Sequence, residues 1–247
     1  AQGVGHVILK LDRLLGGLQA AVEVAIPLTP PLLESQRVAH RHEGDAAAAD
    51  DQRARFQLGQ HPADGQRAAD LVAVHGAGGV GLAALAIARA LGARVIVIDP
   101  SPAARETALR LGAAEALEPA PDLVEAIRDA ASGGPHLSID AIGDAAACRQ
   151  SIASLRPRGR HVQVGLLPAG TAVDPVPMHM VISRELEVLG SHGLAAHDYP
   201  ELLDLVTSGR LRPDLLVART ITLDDVPGAF ALIGTPDQPA GMTLIHP

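Results

Sequence analysis

Leu71-Val72-Ala73-Val74-His75-Gly76-Ala77-Gly78-Gly79-Val80-Gly81 decides how the rest of the chain is read. Its first five residues have the apolar run of a buried strand. Gly76, Gly78 and Gly81 follow at G-x-G-x-x-G spacing, and the alanine- and leucine-rich run 80–91 reads as a helix. A second apolar run, Arg94–Asp99, ends in an acid eighteen residues after Gly81. In that context each part has a role in holding a dinucleotide. Gly76 permits the tight turn, Gly78 lets backbone approach a pyrophosphate, and Gly81 lets the helix lie against the sheet. The amides that open the helix, Gly79 and Val80 among them, offer unpaired N–H groups and partial positive charge to phosphates. Asp99 would accept hydrogen bonds from the adenosine ribose. It would repel a 2′-phosphate, which carries about −1.5 to −2 charges, so NAD(H) is favoured over NADP(H). Two plainer alternatives stand beside this: a glycine-rich turn that binds nothing, and an Asp99 that only caps the helix after Ser101-Pro102.

Outward from this stretch the alternation continues. Leu137–Ala141, His161–Gly165 and Leu186–Leu189 read as strands, with Ala114–Leu117 as a further one. Runs 103–111, 121–131 and 144–155 read as the helices between them. Helices near 198–208 and 224–233 follow, with a last strand at Met242–Ile245. Strand–helix alternation predicts right-handed crossovers and an α/β, doubly wound parallel sheet, the Rossmann fold, over residues 71–247. No Gly-Lys-Ser/Thr follows the glycines, so a Walker phosphate loop is absent.

Residues 1–70 differ. Ile8, Leu11, Leu15, Leu18 and Val22 recur at helical spacing, so 7–25 reads as one amphipathic helix that stops at Pro27, Pro30 and Pro31. Residues 40–69 read as loop, weak helix or disorder. The expectation is an irregular or partly helical N-terminal segment without a recognisable zinc-binding domain. The chain begins at Ala1 and has no methionine before Met178, so a fragment or a processed product is expected.

Composition narrows the function. Hydrophobic residues are 47% and aromatics 1%, so the core is expected to be Val, Leu, Ile and Ala. The net charge is −8 with no basic block, which argues against a nucleic-acid partner. The apolar stretch 7–33 is broken by charges and does not span a membrane. A single cysteine, Cys148, excludes an intrachain disulfide framework and fits a reducing cytoplasm. It reads as a small buried residue. Tyr199 is the only tyrosine and residue 203 is Leu, so the Tyr–Lys pair of short-chain dehydrogenases is absent.

The segment Val72–Pro247 resembles the cofactor-binding half of the medium-chain dehydrogenase/reductase family, specifically the zinc-type alcohol dehydrogenases. The matching pieces run in order: 74–82, 95–99, Ala108-Leu109-Arg110-Leu111-Gly112-Ala113, Ser138-Ile139-Asp140-Ala141-Ile142-Gly143, 159–166, Glu187-Val188-Leu189-Gly190-Ser191 and Ser208-Gly209-Arg210-Leu211. The resemblance implies that Ala141 and Ile142 pass the riboses, and that the backbone of Val164, Gly165 and Leu166 holds the nicotinamide carboxamide. It implies hydride transfer between NAD(H) and a small alcohol or carbonyl substrate, and a homo-oligomer. The basic residue that the family often carries five positions after the ribose-binding acid is replaced by Ala104, with Arg105 beside it.

The family's catalytic zinc has no recognisable ligands here. No cysteine precedes Cys148, and His40-x-His42-Glu43 is the best metal candidate, with solvated loop histidines the plainer reading. Neither a catalytic residue nor a metal ligand is assigned. His75 borders the cofactor or is structural, and His192 and His197 lie on the connection after Gly190-Ser191, which in the family is close to the nicotinamide, so that each either touches a substrate or, the plainer reading, sits in a surface loop. Without a catalytic domain to cover it, the stretch from Arg219 is expected to expose an apolar face. Two readings remain: an oxidoreductase chain lacking the usual zinc ligands, which binds NAD(H) with little activity alone, and a stand-alone NAD-binding or interaction module.

Overall fold

Strand β1 (Leu71–His75) lies in the middle of a six-stranded parallel sheet of order β3-β2-β1-β4-β5-β6. The structure, a computed structural model, describes residues 70–167, 175–193, 196–235 and 237–246. The expected helix at 7–25, the stretch 40–69 and His40, His42 and Glu43 lie outside them.

The elements alternate as the sequence predicts: β1, α1 (Gly79–Ala90), β2 (Arg94–Ile98), α2 (Pro102–Arg110), β3 (Glu115–Leu117), α3 (Leu123–Ala130), β4 (Leu137–Asp140), α4 (Ala145–Ser154) and β5 (Arg160–Gln163). Then come α5 (Met178–Ser183), β6 (Glu187–Gly190), α6 (Tyr199–Thr207), β7 (Val217–Ile221), α7 (Val226–Ala231) and β8 (Met242–Ile245). Helix α5 and strand β7 were not expected. Strands β7 and β8 pair with each other in parallel as a separate two-stranded sheet.

Helix α1 forms from residues of high propensity and buries Leu82, Ala83, Ala84, Leu85, Ile87 and Ala88. It stops where Gly92 takes φ +89, with the Gly92 amide on the Arg89 carbonyl and the Ala93 amide on that of Ala88. That is the pattern in which a left-handed residue closes a helix. Helix α2 starts at Ser101, whose hydroxyl accepts from the Ala104 amide, so Ser101 rather than Asp99 caps it.

The two faces of the sheet carry different cores. On the α1 side, Val72, Val74, Val95, Val97, Leu137, Ile139, Val162 and Val164 pack with Leu82, Leu85 and Ile87. On the other side, Ala73, Ile96 and Ile98 meet Leu123 and Ile127 of α3. Further along that second side the core turns polar. His75, Ser138, Asp140 and His161 are all buried there, and α4 adds the buried Ser151. An all-aliphatic core therefore describes one face only.

Around β7, β8 and α7, Leu223, Phe230, Ile233, Leu244 and Ile245 are exposed, as the sequence leads one to expect. No helix among the described residues is long and apolar enough to cross a membrane.

Candidate dinucleotide-binding site

Strand order reverses between β1 and β4, and there the chain leaves the sheet in opposite directions. After β1 it climbs to α1 on one face, and after β4 to α4 on the other. The crevice at such a switch point is where doubly wound sheets take ligands.

The glycine turn forms one wall. Gly76 holds φ +95, a conformation costly to any residue with a side chain, and its amide donates to the Ile98 carbonyl. A Cβ on Gly81 would collide with the Gly76 carbonyl oxygen, so helix α1 sits directly on the turn. Gly78 behaves oppositely: a Cβ there meets nothing within 4 Å among the described residues. No side chain caps α1, and its first internal bond runs from the Leu82 amide to the Gly78 carbonyl. The amides of Gly79, Val80 and Gly81 therefore precede the helical ladder, at its partially positive end. Gly79 has Met242 of β8 at 3.5 Å from where a Cβ would stand. Open space beside bare amides suits a diphosphate.

Asp99 closes the second wall. One carboxylate oxygen accepts from the Ala77 amide at 2.7 Å and the other from the Ser101 amide at 2.8 Å. The carboxylate is thus turned onto the glycine turn and is only partly buried. Arg105, which follows the position where the family places a basic residue, donates to the carbonyls of Asp99 and Pro100 and pairs with Glu118 at 3.1 Å. Ala104 itself is buried in α2.

The loops after β4 and β5 complete the set. The Ile142 side chain would stand 2.8 Å from a Cβ on Gly76, and the Ala141 amide donates to the His75 carbonyl. Ile142 and Leu166 are exposed, whereas Val164 is buried. Gly143 and Gly165 touch so closely that a Cβ on either would collide with the other loop's backbone. The residues assigned from sequence and resemblance are therefore gathered at the same ends of four neighbouring strands: Gly76, Gly78, Gly79, Val80, Gly81, Asp99, Ala141, Ile142, Val164, Gly165 and Leu166.

Behind these loops lies a polar seam that sequence reasoning did not single out. Asp140 accepts from the Ile142 amide at 2.8 Å and from the Gly143 amide at 3.1 Å through one oxygen. Gln163 donates to the other at 2.8 Å. His161 bonds Gln163, Ser138 and Ser151, with the Cys148 sulfur at 4.0 Å. Burial holds the His161 imidazole below its usual range, against the opposing pull of Gln163 and Asp140. His75 is buried with no partner for its Nε2 among the described residues, and burial, reinforced by His161, lowers its pKa from 6.5 to about 3. Polar residues at alternate positions of two strands, Ser138/Asp140 and His161/Gln163, were the available signal.

Among the described residues no group of three or more His, Cys, Asp and Glu is placed to hold a metal ion. Zinc, the metal this fold family implies, thus finds no fitting donor set there.

Comparison with known proteins agrees with this architecture. The chain is 38% identical over 154 residues to geraniol dehydrogenase of Castellaniella defragrans, a match covering 60% of this chain and 41% of that enzyme. Its structure superposes on 2R,3R-butanediol dehydrogenase of Bacillus subtilis with a TM-score of 0.64 at 28% identity, covering 75% of this chain and 53% of that one. A Sinorhizobium meliloti protein solved with NADP bound gives a TM-score of 0.63 at 31% identity, covering 74% and 54%. The chain thus spans about half the length of the relatives it matches. Residues 79–208, more than half of the 247, match the sequence profile described as zinc-binding dehydrogenase, and the chain belongs to that family.

Proposed function

We propose that residues 71–247 are the NAD-binding domain of an oxidoreductase, with 1–70 as a separate N-terminal segment. The reaction is hydride transfer between NAD(H) and an alcohol, aldehyde or ketone. The observation that carries the reading is the pairing of Gly78, open in front of bare helix amides, with Asp99, latched onto the same turn. Dehydrogenase relatives support the reaction class.

The roles follow residue by residue. The amides of Gly78, Gly79, Val80 and Gly81 take the diphosphate. Asp99 still has acceptor capacity on both oxygens after its two backbone bonds and takes the adenosine ribose hydroxyls. Ala141 and Ile142 flank the riboses, and the backbone of Val164–Leu166 holds the carboxamide. When bound, the nicotinamide supplies the hydride-accepting carbon, and this chain orients it and excludes water.

A nicotinamide cofactor is also supported by the NADP carried by the Sinorhizobium meliloti relative. NAD(H) is preferred here because a 2′-phosphate would face the Asp99 carboxylate. We further propose a cytoplasmic homo-oligomer; the buried Cys148, which forms no disulfide, suits a reducing compartment. Titration of the 247-residue chain with NADH, followed by fluorescence, tests the reading. Saturable binding, tighter than for NADPH, is expected. No binding of either refutes it.

A further inference from the structure

The polar seam behind the β4 and β5 loops is directional. Gln163 Nε2 donates twice, to Asp140 at 2.8 Å and to the Gly165 carbonyl at 2.7 Å. Both amide protons are then used, so Gln163 Oε1 must accept. It lies 3.1 Å from His161 Nε2, which therefore carries the imidazole proton. His161 Nδ1 is left as the acceptor, its one lone pair shared between the hydroxyls of Ser138 at 3.1 Å and Ser151 at 3.2 Å. Turning over the Gln163 amide sets donor against donor at His161 and acceptor against acceptor at Asp140 and Gly165, and moving the His161 proton to Nδ1 sets acceptor against acceptor at Gln163 Oε1, so the Asp140–Gln163–His161 set has one arrangement.

We propose that Gln163 is a positioning residue for the nicotinamide half of the cofactor, because its side chain ties the loop after β4 to the loop after β5. The inference rests on reading those loops as the nicotinamide cradle. Through Asp140, Gln163 braces the amides of Ile142 and Gly143. Through the Gly165 carbonyl it fixes the peptide that joins Gly165 to Leu166. In a planar trans peptide the N–H points opposite the carbonyl, so the Leu166 amide is aimed away from Gln163. The loops meet at Gly143 and Gly165 with no room for a side chain, and a small error in one displaces the other. The glycine turn and Asp99 share none of these hydrogen bonds.

That separation supplies the test. ADP-ribose contains the diphosphate and adenosine but no nicotinamide. Both NADH and ADP-ribose are titrated by calorimetry into the 247-residue chain and into Gln163→Leu and Gln163→Met. Methionine, unbranched and adaptable, is the variant to read if the leucine chain fails to fold. The NADH dissociation constant is expected to rise about tenfold, the equivalent of one strong hydrogen bond. ADP-ribose affinity is expected to hold, while the melting temperature falls in both variants, because Asp140, the Gly165 carbonyl and His161 Nε2 each lose a partner. Unchanged NADH affinity, or an equal loss for both ligands, overturns the inference. A wild-type chain that binds neither ligand overturns the cofactor reading and this inference with it. A wild-type chain that binds both upholds that reading whatever the variants do.

Discussion

The Asp99 carboxylate accepts the Ala77 amide at 2.7 Å, so the acid at the tip of β2 and the turn after β1 are one unit. Asp99→Ala should act twice. It removes the ribose acceptor and the repulsion of a 2′-phosphate, and it releases the turn. NADH affinity should fall about tenfold or more, the worth of a charged hydrogen bond, and the preference over NADPH should shrink. Parallel NADH and NADPH titrations check this. A preserved preference would mean that Asp99 does not face the ribose.

Gly78 and Gly81 should part company under the same substitution. Gly81→Ala drives a methyl into the Gly76 carbonyl and should destabilise by about 3 kcal/mol, the upper part of the overpacking range. Gly78 has φ −73 and ψ −171, which any residue adopts, with open space around it. Gly78→Ala should leave stability within about 0.5 kcal/mol while weakening NADH binding. Urea unfolding beside NADH titration separates the two, and a Gly78→Ala chain that binds normally would move the diphosphate elsewhere.

Acid should unfold the domain in part through His75. Its folded pKa of about 3 lies below the unfolded 6.5. The unfolded state therefore binds more protons between these values, and the stability is present above pH 6.5 and lost as pH falls toward 3. The slope from this group is about 1.4 kcal/mol per pH unit in that window. His161 and His136, both lowered chiefly by burial, add in the same direction. His75→Leu should reduce the measured slope by roughly that amount while leaving the contribution of the others. At neutral pH it should cost little, because the imidazole Nε2 it removes has no partner among the described residues. An unchanged slope would show that His75 protonates freely in the folded chain.

Gly165→Ala should pry the β4 and β5 loops apart, since its methyl meets the Gly143 backbone. NADH affinity should drop more than ADP-ribose affinity. Equal losses would place the damage in the sheet as a whole.

The glycine turn and Asp99 were legible because local spacing fixes what they do. The tight turn, the close helix and the acid at the next strand tip are near in sequence. Strand β7 was not, because its partner β8 lies more than twenty residues on and its residues are mostly exposed. Helix α5, six residues long, is too short to show a period. The polar seam depends on register. Ser138 opposite His161 and Asp140 opposite Gln163 is a fact of strand pairing. Read singly, each looks like an ordinary polar residue in a strand. The loops at Ala141–Ile142 and Val164–Leu166 were reached through resemblance, since no local rule marks them.

The unlike faces of the sheet set different terms for anyone who would re-engineer or transplant this domain. The aliphatic side under α1 tolerates exchange of one branched chain for another, provided volume is kept. The side under α4 admits no piecemeal revision. Ser138, Asp140, Ser151, His161 and Gln163 each take their orientation from the next, so they move to a new scaffold together or leave behind groups that neither water nor protein satisfies.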